Sequence, residues 1–307
     1  GKKHTIRFES PRLEFFGVPL AFLPFLEIAD PTVKRKTGFL LPSITSKTEL
    51  GIGVKVPFYL ALSPSYDVTL YGTYYSRQGF LGEAEWRQRF NSGSYSVTLA
   101  GISQREPGAF GAGTVDQAVE KRWMAGSKGQ FQINPRWTFG WNVLAQSDKN
   151  FGYTYQIEGY KDYLHKNEIY LTGLSGRNFF DLRAYKFSVQ DSATAAASSL
   201  DAKQPWVLPS FDYSWTAPTP VLGGELNVDL NSQAVARFDR DPAGAGINLP
   251  GAEGKSGRFT VGLEWKRTFI APGGLAVTPL LALRGDGHFV NLEGQSALLD
   301  TGVITQT

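Results

Sequence analysis

At 307 residues, with 42% hydrophobic, 13% aromatic and 19% charged side chains, the chain is long enough for one large β-domain or two smaller ones; its Gly, Tyr, Phe and Trp favour strands and tight turns. Lys and Arg total 31 against 28 Asp and Glu, a net charge of +3 that falls short of the concentrated positive charge nucleic-acid binding requires, so no nucleic-acid partner is expected. The absence of cysteine excludes disulfides and thiolate metal sites within the chain, and no apolar run reaches the roughly 18 residues of a spanning helix, which leaves a membrane β-barrel open because barrel strands alternate.

In chain order, residues 1–36 are apolar and proline-rich (Pro11, Pro19, Pro24, Pro31) and end in the basic cluster Lys34-Arg35-Lys36. The opening GKKH has no apolar signal core and reads as the tail of an earlier element, so a fragment or processed chain is expected, with 1–36 the exit of a preceding domain and a linker. The stretch GFLLPSITSKTELGIGVKVPFYL then predicts two consecutive strands, about 38–45 and 49–61, each carrying a proline near its middle, Pro42 and Pro57. Proline lacks the amide donor and normally sits at edges or bulges, so two neighbouring strands are weakened.

Further strands are predicted at about 67–77, 80–90, 94–104, 122–133, 164–175, 178–190, 205–216 and 275–290. Three more alternate strictly: RWTFGWNVLAQ sets Trp137, Phe139, Trp141, Val143 and Ala145 against a face that only Leu144 spoils, and RFTVGLEWKRTF and GGELNVDLNS do the same. About thirteen strands result, many near the 9–11 residues of a tilted membrane-spanning strand. Short turns (Ser63 to Tyr66, Asn91 to Gly93, Asn134-Pro135) interleave with long polar segments (105–121, 147–163, 191–203, 239–256), the uneven rims of an outer-membrane barrel. Tyr71, Tyr74, Tyr75, Trp86, Trp123, Trp137, Trp206 and Trp215 are candidates for interfacial girdles. Charged faces such as Glu83, Glu85, Arg87 and Arg89 suit a hydrated lumen and bulk solvent equally.

Catalytic signals are weak. His4, His165 and His288 are far apart and share no compact ligand spacing, no G-x-S-x-G elbow is present, and no cofactor or metal is expected.

Five features coincide in PLAFLPFLEIADPTVKRKTGFLLPSI and the following VPFYLALSPSYDVTLYGTYYSRQGFLGEAEWRQRF: Pro24-Phe25, the strand from Lys36 to Pro42, Pro57 to Tyr59, the turn from Ala61 to Thr69, and the hairpin from Tyr74 to Gly79. Together they resemble the LPS-assembly outer-membrane protein family, LptD, where its periplasmic β-jellyroll meets its barrel; the match covers about residues 20–90. The resemblance implies an all-β fold, with 1–36 the end of the jellyroll and linker and 37–307 about half of a large antiparallel transmembrane barrel, the family's having roughly 26 strands. It implies a translocon in the outer membrane of a Gram-negative bacterium, inserting lipopolysaccharide into the outer leaflet through a lateral gate between the first and last barrel strands. Pro42 and Pro57 match the family's gate prolines, and Phe39, Leu41 and Phe58 are the expected acyl-chain contacts. The cluster Lys34, Arg35 and Lys36 reads either as a phosphate contact or as a solvated linker. The implied partners are an LptE-like lipoprotein plug, an LptA-like periplasmic bridge and the barrel-assembly machinery. A general porin, a barrel esterase and a soluble carbohydrate-binding β-domain are the alternatives.

Overall fold

The computed structural model describes residues 5–10, 12–15, 18–22, 25–29, 35–192, 200–201, 203–239 and 253–292. Its first four strands are short: β1 (Thr5–Glu9) pairs with β4 (Phe25–Ala29), and β2 (Arg12–Phe15) with β3 (Val18–Phe22), all antiparallel. Residues 1–36 thus contain two small strand pairs.

The main sheet has fourteen strands. β5 (Gly38–Phe39) and β6 (Ser43–Lys47) both pair with β7 (Gly51–Ser63) and form one edge. The order continues through β8 (Tyr66–Tyr75), β9 (Gly79–Phe90), β10 (Gly93–Ser103), β11 (Lys121–Asn134), β12 (Trp137–Gln146), β13 (Leu164–Ser175), β14 (Asn178–Val189), β15 (Trp206–Thr216), β16 (Glu225–Arg237) and β17 (Gly254–Lys266). A separate hairpin of β18 (Phe269–Ile270) and β19 (Ala276–Val277) precedes β20 (Leu280–Leu292), the other edge. Each strand from β7 to β17 lies beside its neighbours in sequence, the meander that short antiparallel connections produce. Two expected strands differ: 38–45 breaks into β5 and β6, and 275–290 separates into β19 and β20.

Connections alternate as the sequence predicts. Residues 64–65, 91–92, 135–136 and 176–177 are tight turns, while 104–120, 147–163, 190–205 and 238–253 are long. The turns at 48–50 and 76–78 lie on the same rim as the connections 104–120 and 147–163.

The chain divides into two compact units: residues 1–129, 143–165 and 190–197, and residues 130–142, 166–189 and 198–307. In the first, register puts Phe39, Phe58, Leu70, Ala84 and Leu99 in one cross-strand row on an apolar face; β7 presents Ile52, Val54, Val56, Phe58 and Leu60 there, up to a register shift between Leu60 and Ser63. The opposite face carries Lys55, Tyr71, Glu83 and Thr98. In the second unit Trp215, Val228, Leu263 and Leu283 form an apolar row, and Asp212, Asn231, Thr260 and Asp286 a polar one. Strict period-2 patterning produces this segregation, since successive side chains point to opposite faces.

Candidate functional site

Pro42 and Pro57 meet at the β5/β6 edge. Between the pairs Phe39 with Phe58 and Ser43 with Lys55, the edge strand has three residues (Leu40, Leu41, Pro42) and β7 has two (Val56, Pro57), the two-to-one mismatch of a β-bulge. Leu40 donates its N–H to the Pro57 carbonyl at 3.0 Å. In a hydrogen-bonded antiparallel pair each residue directs both backbone groups at the same partner, so the reciprocal bond would run from residue 57 to the Leu40 carbonyl. Proline has no hydrogen to give, and that bond is missing. On its other side β7 keeps unbroken register with β8 from Gly53 with Tyr75 to Leu60 with Val68, including Pro57 with Tyr71. The defect is therefore directed at the edge strand alone. Pro209 offers the contrast: Leu208 and Pro209 face one residue on each neighbour, Ala184 and Ala234, so an interior strand absorbs that proline as a bulge.

Around the defect the apolar face is open. Leu41 is 70% exposed and Phe39 46%. The Phe39 and Phe58 rings meet edge to face with centroids 4.9 Å apart.

Below the defect the strand is held. The Arg35 guanidinium donates to Tyr59 Oη (3.0 Å), the Tyr66 carbonyl (3.0 Å), Asp67 Oδ2 (3.0 Å) and the Pro64 carbonyl, tying the entry of the edge strand to the β7–β8 turn. Asp67 also accepts from Arg87 Nε at 2.8 Å, and Ala61 N–H donates to Thr37 Oγ1 at 3.0 Å.

Above the defect, at the rim of long connections, segments 104–120 and 147–163 fold onto the polar face. The first carries a 3₁₀ turn at Pro107–Ala109 and helix α1 (Val115–Ala118), capped by Thr114 Oγ1 accepting the Gln117 N–H; the second carries α2 (Phe151–Thr154). Phe110, Phe151, Tyr155, Ile157 and Tyr160 pack on Leu50, Tyr75, Leu81, Ala100, Ile102 and Met124, with Leu144 against the cluster. Gly126 lies under the Tyr160 ring, where a Cβ would fall 2.2 Å from Cζ. This cap encloses a buried ion cluster: the Arg122 side chain is 0% exposed and pairs with Asp116 (2.7 Å) and, through two nitrogens, with Asp148 (2.8 and 2.7 Å). Asp116 further accepts from Asn150 Nδ2 (2.8 Å) and Thr154 Oγ1 (2.5 Å). The Phe151 and Tyr155 rings lie 5.5 and 5.4 Å from the guanidinium, a desolvated cation–π contact. Burial pushes the Tyr160 hydroxyl up to about 12.

Of the residues singled out by sequence, the structure brings Phe39, Leu41, Pro42, Pro57 and Phe58 to one edge. Arg35 is engaged in the clamp, Lys36 is half-buried, and Lys34 and His4 lie outside the described residues. Tyr71 and Tyr75, candidates for a girdle, face the polar side instead: Lys55 Nζ lies 4.4 Å from the Tyr71 ring centroid, and Tyr75 is in the cap core. Sequence reasoning missed the cap, reading its segments as loops. The signal was present: Leu81, Ile102, Met124 and Leu144 are apolar intrusions on the polar face, all at the same rim.

An antiparallel meander whose units each set an apolar face against a polar one, with short and long connections alternating, is the strand pattern on which outer-membrane β-barrels are built. The family model described as LPS transport system D, LptD, matches residues 120–299. The chain belongs to the LptD family. It is 27% identical over 244 residues to the LPS-assembly protein LptD of Vibrio vulnificus strain YJ016, covering 77% of this chain and 28% of that protein. Against the protein of that name from Actinobacillus pleuropneumoniae serotype 5b it is 24% identical over 232 residues (75% and 28%). Against that of Pseudomonas aeruginosa strain UCBPP-PA14 it is 31% identical over 104 residues (34% and 11%). The chain thus spans less than a third of the length of these relatives.

Proposed function

We propose that this chain is the gate-bearing part of an outer-membrane translocon that delivers lipopolysaccharide into the outer leaflet through a lateral opening at the β5/β6 edge. The observation that carries the reading is the direction of the Pro57 defect: the missing donor faces the edge strand while the β7–β8 pairing is intact. In a bilayer no water replaces a lost backbone bond, so this is the strand pair that separates at least cost. Family membership supports the substrate, and the apolar Phe39, Leu41 and Phe58 beside the break suit acyl chains. The charged face would be the hydrated side along which the saccharide moves. Residues 1–36 would close a periplasmic β-jellyroll. An LptE-type lipoprotein plug, an LptA-type periplasmic bridge and the barrel-assembly machinery would be the partners, and the role is transport without a catalytic step.

The test uses the full-length protein in cells, with a photo-crosslinking residue at Leu41 or Ser43, alongside Pro57→Ala. Lipopolysaccharide adducts at both positions, together with less lipopolysaccharide at the surface in the Pro57→Ala strain, are expected. Normal delivery without adducts would leave the prolines as tolerated edge residues and overturn the gate.

A further inference from the structure

Three fully buried polar side chains each bridge two connections at the capped rim. Gln78, in the turn after β8, donates to the Glu49 carbonyl in the β6–β7 turn (2.7 Å) and to the Glu106 carbonyl in the β10–β11 connection (2.9 Å). Arg122 joins Asp116 of that connection to Asp148 of the β12–β13 connection. Gln190, opening the β14–β15 connection, accepts the Tyr153 N–H (3.1 Å) and donates to the carbonyls of Tyr160 (2.6 Å) and Asp162 (2.9 Å). Each bridge shares a connection with the next, so an unbroken series runs from the β6–β7 turn through the cap.

We propose that these bridges make the cap and the β6–β7 hairpin one cooperative unit, so that the cap cannot lift from the polar face without loosening the hairpin that carries the weakened seam. The physical reason is that each bridging group is desolvated. Displacing one partner leaves the others buried and unpaired, a cost that favours all-or-none release over local fraying. Two contacts reinforce the junction: Leu50, in the β6–β7 turn, is buried in the cap cluster, and Lys47, the last residue of β6, reaches the Thr154 carbonyl at 3.4 Å. In the closed state the cap then restrains the seam, and a ligand advancing along the polar face frees the edge as it displaces the cap. That purpose rests on the transport reading; the coupling itself does not.

Hydrogen exchange on the full-length protein in lipid nanodiscs tests the coupling. Gln78→Ala should speed exchange about tenfold or more in residues 43–52, and also in 105–118 and 147–160, with β15–β17 unchanged. Arg122→Gln is the sharper arm, because Arg122 does not contact the hairpin: the same acceleration at 43–52 supports the proposal, and acceleration confined to 104–120 and 147–163 overturns it. If Arg122→Gln also abolishes protection in β15–β17, Thr154→Val decides by the same criterion, since it removes the hydroxyl's bonds to Asp116 and Asn150 and leaves in place the backbone carbonyl that Lys47 reaches. Surface lipopolysaccharide measured in the same variants separates the two readings. Coupled exchange with unaltered delivery would refute the purpose and keep the coupling; uncoupled exchange with impaired delivery would overturn the coupling and its purpose and leave the transport reading standing.

Discussion

Pro57 is a donor deleted from one side of one strand. Restoring it with Pro57→Ala allows a bond to the Leu40 carbonyl, worth about 1 kcal/mol, and should slow amide exchange in residues 38–47 several-fold. Pro209→Ala, at an interior bulge, should leave that segment unchanged. Exchange mass spectrometry of the two variants makes the comparison, and equal effects would remove the special status of Pro57. Tyr160 gives the residue scale a pH signature. Its folded value is raised by burial above the ordinary 10.0 to about 12, so the folded chain holds the proton more tightly than the unfolded one. The stability this contributes is complete below pH 10 and is lost as pH rises towards 12. Tyrosinate absorbance of the intact protein should therefore show a late-titrating component that coincides with loss of the cap's protease resistance.

At the scale of elements, the edge strand is held at both ends and broken between them. Its entry is fixed by the Arg35 clamp and its exit by the β6–β7 turn under the cap, with the bulge at Leu40, Leu41 and Pro42 in the middle. Arg35→Ala removes four hydrogen bonds from a partly exposed group; a loss of about 2 kcal/mol of local stability is expected, read as faster exchange at residues 35–40 with the cap unaffected. The cap is fastened by packing as much as by ions. Leu81 is 0% exposed beneath it, and Leu81→Ala should cost about 2 to 5 kcal/mol. Limited proteolysis should then cut within 105–120 and 147–163 first, and undiminished resistance there would show that the cluster is not what seats the connections.

For the whole molecule, the two faces make opposite predictions. Leu99 lies in the middle of β10 on the apolar face and is 51% exposed, while Ser96 lies on the opposite face of the same strand. If the apolar face meets lipid, Leu99→Lys should destabilise the vesicle-reconstituted protein by about 2 to 4 kcal/mol and Ser96→Lys by far less. Urea unfolding in vesicles followed by Trp fluorescence measures both, and equal costs would contradict the orientation.

How much of this was legible follows from what each feature depends on. Alternation in 137–146 and 258–266, turn residues such as Asn91-Ser92-Gly93, and the two strand prolines are local, and local steric rules carried them into strands, hairpins and a weakened edge. The break at 40–42 was less visible, because a bulge is a mismatch between two strands and neither strand displays it alone. The cap was the least visible. Segments 104–120 and 147–163 have loop-like composition, and their order comes from partners far away in sequence: Arg122 with Asp148, Asn150 with Asp116, Gln78 with Glu49. Leu144, which looked like a flaw in a strict pattern, is the clearest case. The sequence by itself determined that the chain would be a two-faced antiparallel sheet with a compromised first pairing, since both follow from period and from proline's missing hydrogen. Only the tertiary structure decided which side of β7 bears the defect and that buried charges bind the connections above it, since those depend on register and on groups that become adjacent when the strands assemble.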